Sequence, residues 1–228
     1  MIKVNGNRLI LALVAAFFMA SINAALAEED IAKPVKLVDE ALNTVMNFKA
    51  DPDMGWFREN VQKAKGVFVV PSLLKGGFIL GGSGGSGVML ARDEKSGEWS
   101  YPAFYTMGSG SFGFQAGVEK AEVILMVMSD KGMDKMLSSS FKLGADVSVA
   151  VGPTGAGAKV KMADIISFSR TKGVFGGIAL EGAVIKTRDG WNEEYYKKPV
   201  RSVDIMIRGE AANPHADDLR SAVAKVAG

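Results

Sequence analysis

The chain has 228 residues, with 27 basic and 25 acidic side chains, one histidine and no cysteine. Without cysteine it forms no disulfides, and the count also excludes a zinc site built from cysteine and histidine. The formal net charge of +2 creates no broad positive field, so the composition argues against a nucleic-acid partner.

The first 27 residues have the pattern of a secretory signal peptide. Lys3 and Arg8 precede a twelve-residue apolar run at 9–20, and Ala25-Leu26-Ala27 is a small-residue cleavage site. The apolar run is shorter than the roughly 20 residues of a membrane-spanning helix, which makes an uncleaved anchor the less favoured alternative. We therefore expect cleavage near Ala27 and a periplasmic or secreted protein. Export without disulfides fits a bacterial periplasm.

Residues 28–228 are expected to form a single domain, since about 200 residues can bury a substantial core. The two cations of the leader are lost on cleavage, which leaves 25 basic and 25 acidic residues and no formal charge. Three zones follow one another: helices at 28–64, a glycine-rich β region at 65–210 and a helix at 213–228.

Two helices are predicted in the first zone. Asp51-Pro52-Asp53 ends the first helix and caps the second, which carries Trp56 and Phe57. The first helix has an apolar stripe, with spacings of four and three residues, made of Ile31, Val35, Val38, Leu42 and Val45. This stripe either inserts into a membrane or packs on the protein's own core. We favour packing, because most helices of globular domains are amphipathic for that reason.

The second zone contains short apolar runs separated by turn signals, with one helix expected at 130–139. Residues 65–191 hold 23 of the 27 glycines, and glycines inside strands permit bends and close backbone approach. A last strand is predicted at Val203–Ile207, before Asn213-Pro214 open the C-terminal helix. The expected fold is α+β, a curved, barrel-like antiparallel sheet with N-terminal and C-terminal helices packed on it.

Gly82–Gly87 spells G-x-G-x-x-G, the spacing of a dinucleotide-binding loop. That site needs a helix directly after the glycines, whereas a polar turn at 93–97 follows within a few residues and indicates a hairpin. The same spacing recurs at Gly108–Gly113, again without a helical pattern. The glycines are therefore interpreted as backbone devices, and no nucleotide cofactor is expected.

No residue pattern indicates catalysis. His215 is the only histidine and is predicted to be a surface residue beside Pro214, so a serine–histidine pair has little support. A serine–lysine dyad stays open, because serines and lysines are numerous, but nothing indicates one pair. We predict neither an enzyme nor a bound metal or other cofactor.

The glycine-rich region resembles the SYLF domain family. The resemblance rests on ordered blocks at Lys65–Phe68, Lys75–Phe78, Gly84–Val88, Trp99–Pro102, Gly110–Gly117, Leu143–Asp146, Val151–Pro153, Phe168–Gly177, Leu180–Gly182 and Tyr195–Tyr196. These blocks cover most of residues 28–228, and the chain is similar to an exported bacterial member of the family.

The resemblance implies non-enzymatic lipid binding at a membrane surface. Eukaryotic SYLF proteins bind phosphoinositides with the help of a basic amphipathic N-terminal helix, and some bind actin. The corresponding polar face here is mostly acidic, with Glu28, Glu29, Asp30, Asp39 and Glu40 against Lys33 and Lys36. A helix that binds anionic lipid carries cations there, so the phosphoinositide preference is not carried over.

Four cations lie beside glycine blocks of the family and are candidates for lipid-headgroup binding: Lys65, Lys75, Arg170 and Lys172. The alternative is that they only keep this rim soluble. A second hypothesis makes the protein a structural or assembly factor of the cell envelope with a protein partner. That function would require a large exposed apolar patch or an open strand edge.

The signal-peptide interpretation predicts that the exported protein begins at Glu28. N-terminal sequencing of the protein recovered from the periplasm or the medium tests this. Detection of Met1 on a membrane-embedded form would contradict it.

Overall fold

The computed structural model describes residues 33–77, 80–112, 117–154, 162–171, 174–175 and 180–226. The predicted leader at 1–27 and Ile31 of the helical stripe lie outside these residues. The helices are α1 at 33–50, α2 Gly55–Asn60, α3 Asp130–Leu137, α4 Asp189–Tyr196, α5 Ser202–Met206 and α6 Asp217–Ala224. The strands are β1 Gly66–Gly77, β2 Leu80–Ala91, β3 Ala103–Phe112, β4 Gly117–Val127, β5 Ser140–Lys142, β6 Val149–Val151, β7 Ile165–Thr171, β8 Val174–Phe175 and β9 Val184–Thr187.

The described strands form one curled sheet in the order β5-β9-β3-β2-β1-β4-β7-β6, with β8 paired to β7. Neighbours are antiparallel except β6 and β7, which run parallel. The predicted α+β class and the curved, barrel-like sheet are confirmed. Both outer ends of the sheet contribute to the same buried cluster as its centre, through residues such as Phe141 and Phe168.

Helices pack on both faces of the sheet. One buried row crosses five strands, made of Phe168, Ile124, Val69, Val88 and Phe104. α2 and α4 pack on this face, where Phe57 lies 5.6 Å from Phe168 and Tyr195 lies 5.1 Å from Phe104 between ring centroids.

The opposite face packs against α3. The hydroxyl of Tyr105 on β3 donates to the carbonyl of Met136 on α3 at 2.6 Å, and its ring lies 5.8 Å from that of Phe68. Burial raises the pKa of the Tyr105 phenol, so the hydroxyl remains a donor at all physiological pH values. The centre of the sheet is therefore enclosed on both sides.

The N-terminal helix α1 packs on the core, as the favoured interpretation of its stripe predicted. Val38 and Val45 are each 1% exposed, and Leu42 is half-buried against the core. Val35 faces solvent instead, because the buried face is rotated toward Leu37, Ala41, Thr44 and Phe48. The Asp51 carboxylate caps the following turn by accepting from the Asp53 N–H at 2.9 Å.

The central strand β1 contains a bulge at Pro71. Val69 faces Val88 on β2, whereas Leu74 faces Gly84, so β1 uses one residue more than its neighbour over this stretch. A proline in a central strand requires such an irregularity, since it has no N–H to donate. A Cβ on Gly85 would come within 2.5 Å of the Ser72 carbonyl oxygen, and one on Gly87 would meet the Val69 carbonyl.

The G-x-G-x-x-G segment Gly82–Gly87 lies entirely inside β2. The polar turn after it is also present, with Gly97 at a φ of 77° and a bridge between Arg92 and Trp99. The hairpin interpretation is confirmed, and Gly85 and Gly87 within the segment permit close strand contact.

The predicted strand Val203–Ile207 was wrong, because this segment forms α5. Its β-branched residues alternate like a strand, but the Asp204 carboxylate accepts from the Arg201 backbone N–H at 3.1 Å and fixes a helical first turn. α4 also falls inside the zone assigned to β structure. The C-terminal helix is confirmed, with Leu219 and Val223 buried.

Asp164 ties three segments together. It accepts from the Ser129 hydroxyl at 2.6 Å, at the start of α3, and from the Ser148 N–H and hydroxyl at 2.9 and 2.8 Å, just before β6. The Ser129 bond first, and then the Ser148 bonds, lower the pKa of Asp164 to about 2.

Gly87→Ala is expected to destabilise the protein by about 2–4 kcal/mol, because the new methyl group meets backbone that cannot yield. Gly84→Ala on the same strand is the control, since a Cβ there would meet nothing within 4 Å. Chemical denaturation of both variants measures the difference. Equal stabilities would refute the close-approach account.

Asp164→Asn is expected to lower the free energy of unfolding by about 1–2 kcal/mol at pH 7. A carboxylate with a lowered pKa stabilises the fold above its unfolded value of about 3.9, and this stabilisation is lost as pH falls toward 2. The wild-type advantage should therefore shrink between about pH 4 and pH 2. Asp134→Asn, at an exposed site on α3, serves as the control. An advantage that persists unchanged at pH 2 would contradict the assignment.

Candidate functional site

The sheet face that packs against α2 and α4 extends beyond these two helices and is exposed there. Toward the glycine-rich ends of the strands, two further rows of residues face the same side and are exposed or half-buried. We call this surface the basic face, and define it as Leu74, Gly84, Ser86, Thr106, Gly108, Lys120, Lys142, Val184 and Lys186, together with Arg188 directly after β9.

Strand alternation places these side chains. On β9, Val184 and Lys186 are exposed while Ile185 between them is fully buried. On β5, Lys142 is exposed beside the buried Phe141, and it pairs with Val184. The buried side chains hold the two outer strands to the core, which fixes the lysines on the outside.

Glycines form the floor of the basic face. Gly84 on β2 and Gly108 on β3 are paired, and they lie between Leu74 on β1 and Val184 on β9. Leu74 is 50% exposed and Val184 is 43% exposed. The floor is therefore bare backbone that separates two exposed apolar side chains.

The charges on this face are of one sign. Within the described part of the chain, no carboxylate lies within 4 Å of the charged side-chain nitrogens of Lys120, Lys142, Lys186 or Arg188, although the Lys142 backbone N–H donates to Asp146 at 2.7 Å. Glu122 ends one of the rows on β4, but its oxygens accept from Arg170 at 2.9 Å and from Asn47 at 3.0 Å. The arrangement attracts an anionic surface.

The structure does not bring together Lys65, Lys75 and Arg170, three of the four cations proposed from sequence. Lys65 and Lys75 stand at opposite ends of β1, ten residues apart, which corresponds to roughly 30 Å. Lys65 pairs with Glu94 and, at 2.8 Å, with Asp130. Hydrogen bonds to Asp130 and Glu94 raise its pKa. Lys75 faces the other side of the sheet from Leu74, opposite Glu119.

Arg170 forms an ion pair with Glu122, and Lys172 lies outside the described residues. Headgroup binding by these four side chains stays a prediction. Lys120, Lys142, Lys186 and Arg188 were not singled out from the sequence. The alternation of Phe141 with Lys142, and of Ile185 with its two neighbours, is the signal that could have indicated an exposed edge.

His215 lies at the surface, as predicted, and connects two helices. Its Nε2 is 3.1 Å from Oδ1 of Asp39 on α1, and its Nδ1 is 3.0 Å from the hydroxyl of Tyr195 on α4. Burial raises the pKa of Tyr195, so the phenol stays protonated. These contacts of His215 join α1 to α4.

The described residues contain no group of three or more potential metal ligands. No helix among them is long and apolar enough to span a bilayer. The positive face, the glycine floor and the two exposed apolar side chains describe a surface for binding.

A family profile described as "Ysc84: Las17-binding protein actin regulator" matches residues 108–226, which is more than half of the chain. The chain belongs to the Ysc84 (SYLF) family. The resemblance seen in the sequence is thereby confirmed. The matched residues include the end of β3 from Gly108, β9 and Arg188 of the basic face.

The chain is similar to several eukaryotic Ysc84 relatives. It is 31% identical over 166 residues to SH3 domain-containing YSC84-like protein 1 of Bos taurus, which covers 70% of this chain and 48% of that protein. It is 30% identical over 167 residues to protein YSC84 of Saccharomyces cerevisiae, covering 70% and 35%. With LAS seventeen-binding protein 3 of the same yeast, the values are 31% over 166 residues, 69% and 36%. The chain thus spans half or less of these relatives.

Proposed function

We propose that this protein is a non-enzymatic binding module that docks on anionic phospholipid surfaces through its basic face. The supporting observation is the arrangement of four cations without carboxylate partners around Leu74 and Val184, over a glycine floor. After cleavage of the leader near Ala27, the membrane in question would be reached from the periplasm or the cell exterior.

The surface suits an anionic bilayer, because such a bilayer is negatively charged at its surface and apolar below its headgroups. Each lysine or arginine near an anionic surface contributes about 1 kcal/mol, and this contribution decays within a Debye length. The two exposed aliphatic side chains add apolar area that water would otherwise cover. A glycine floor lets headgroups approach the strand backbone.

A second candidate function is binding of a protein partner. The family description names Las17 binding and actin regulation, and one relative is named LAS seventeen-binding protein 3. The described sheet also ends at β6, where Val151 is 51% exposed, so a partner strand could extend the sheet there. A folded protein that ignores vesicles of every charge, and carries no lipid in native mass spectrometry, would favour this candidate.

Replacing Lys120, Lys142 and Lys186 together by glutamine is expected to abolish flotation with phosphatidylglycerol vesicles at low salt. The loss of three contributions of about 1 kcal/mol each outweighs the remaining apolar contact. The control changes Lys36, Lys63 and Lys95, three exposed lysines outside the basic face, by the same total charge. Thermal melting must show that both variants fold.

The set Lys65, Lys75, Arg170 and Lys172 forms a second arm of this experiment. If their replacement by glutamine prevents flotation while the triple variant floats normally, binding lies with that set and the basic face is not the docking surface. Equal loss in the triple variant and in its lysine control would reduce the effect to net charge.

A further inference from the structure

Arg188 differs from the other cations of the basic face because it is held in place. Its guanidinium carbon lies 3.5 Å from the centroid of the Trp191 ring, in a cation–π arrangement. One Nη1–H donates to the Ser86 hydroxyl oxygen at 2.9 Å. Its backbone N–H donates to the Phe104 carbonyl at 2.8 Å, which anchors the residue to β3.

The partners of this guanidinium are all neutral. Among the described residues, no carboxylate lies within ion-pair distance of the Arg188 guanidinium. Partial burial lowers the pKa of Arg188. Two other half-buried arginines have acidic partners, since Arg170 pairs with Glu122 and Arg220 with Asp217, whereas Arg58 donates to backbone carbonyls. Burial of a charge without a counter-ion is unfavourable, so the site is electrostatically incomplete.

The groups beside Arg188 are hydrogen-bonding and small. Ser86 pairs across the sheet with Thr106, which in turn pairs with Lys186 on β9. Gly84 lies two residues before Ser86 on the same side, with nothing within 4 Å of the position that a Cβ would occupy. A guanidinium, two hydroxyls and an ammonium thus border an open patch of backbone.

From this geometry we propose that Arg188 is the phosphate-binding residue of the basic face, gripping one phosphate group of a phospholipid headgroup. A guanidinium donates two parallel N–H bonds to a pair of phosphate oxygens, and Trp191 and Ser86 already orient it. Lys186 supplies a second positive charge from the neighbouring strand. This assignment rests on the proposed docking function, and adds a defined site to what is otherwise a diffuse charged surface.

The charge-conserving variant Arg188→Lys separates a geometric site from simple attraction. An ammonium keeps the charge but loses the planar pair of donors, so we expect affinity for phosphatidylglycerol vesicles to fall about tenfold. Arg220→Lys is the matched control, because Arg220 also stacks on an aromatic ring, 4.1 Å above Tyr101, yet has its own carboxylate. It should bind like wild type. Arg188→Lys binding as tightly as wild type would overturn the proposal.

A phosphate-free anionic surface provides the second arm. Vesicles of galactolipid with oleic acid carry negative charge without phosphate, and wild type and Arg188→Lys should bind them equally. A similar tenfold loss on these vesicles would show that Arg188 does not recognise phosphate, which also overturns the assignment.

Nuclear magnetic resonance of the wild-type protein decides the matter independently of any variant's folding. Titration with glycerol 3-phosphate should shift the Nε–H signal of Arg188, saturably, while that of Arg220 stays in place. If the wild type fails to float, the docking function fails, and this titration still judges the phosphate site. An unshifted Arg188 signal would refute the site even where flotation succeeds.

Discussion

Strand β1 imposes the constraint on which the rest of the structure depends. It lies at the centre of the sheet, with both faces covered, and it carries Pro71, which cannot donate a hydrogen bond to a neighbouring strand. The chain accommodates the proline in a bulge that pushes two carbonyl groups toward β2. Only glycine at positions 85 and 87 of β2 leaves room for them. Glycine at these two positions is thus a steric consequence of one irregular strand.

Two other glycines, Gly84 and Gly108 on the opposite side of these strands, lie where the helix layer stops. A helix packs on a sheet by burying side chains, and rows of glycine offer none. The helix layer ends near Phe104, and the rows beyond it remain in contact with water. The outer strands β9 and β5 are nevertheless fixed by Ile185 and Phe141 on the enclosed side. The exposed face and the buried face behind it therefore both result from the local sequence of these strands.

Much of this fold could be predicted from the sequence, because hydrophobic spacing and turn residues agree with the final structure at α2, α3, β1, β4 and α6. The segment Val203–Ile207 was misjudged since β-branched residues favour strands, while the capping contacts of Asp204 depend on Arg201 and on tertiary packing. Of the predicted helical stripe, Val38 and Val45 are buried while Val35 is exposed, and the buried face also includes Thr44, which donates to Glu122 at 3.2 Å.

The candidate site was harder to predict, because sequence proximity to a glycine block says nothing about ion pairs formed across the fold. Lys65 forms ion pairs with Glu94 and Asp130, which lie 29 and 65 positions away in the sequence, and these carboxylates compensate its charge. Lys142 and Lys186 lie far apart in sequence, yet on adjacent strands they point the same way. The formal net charge of the chain is only +2, so long-range attraction is small, and screening limits the reach of each cation to about 10 Å at 0.1 M salt. Binding to an anionic surface must then depend on which cations share a face and lack acidic partners. Strand register determines which cations these are, and amino-acid composition does not reveal it.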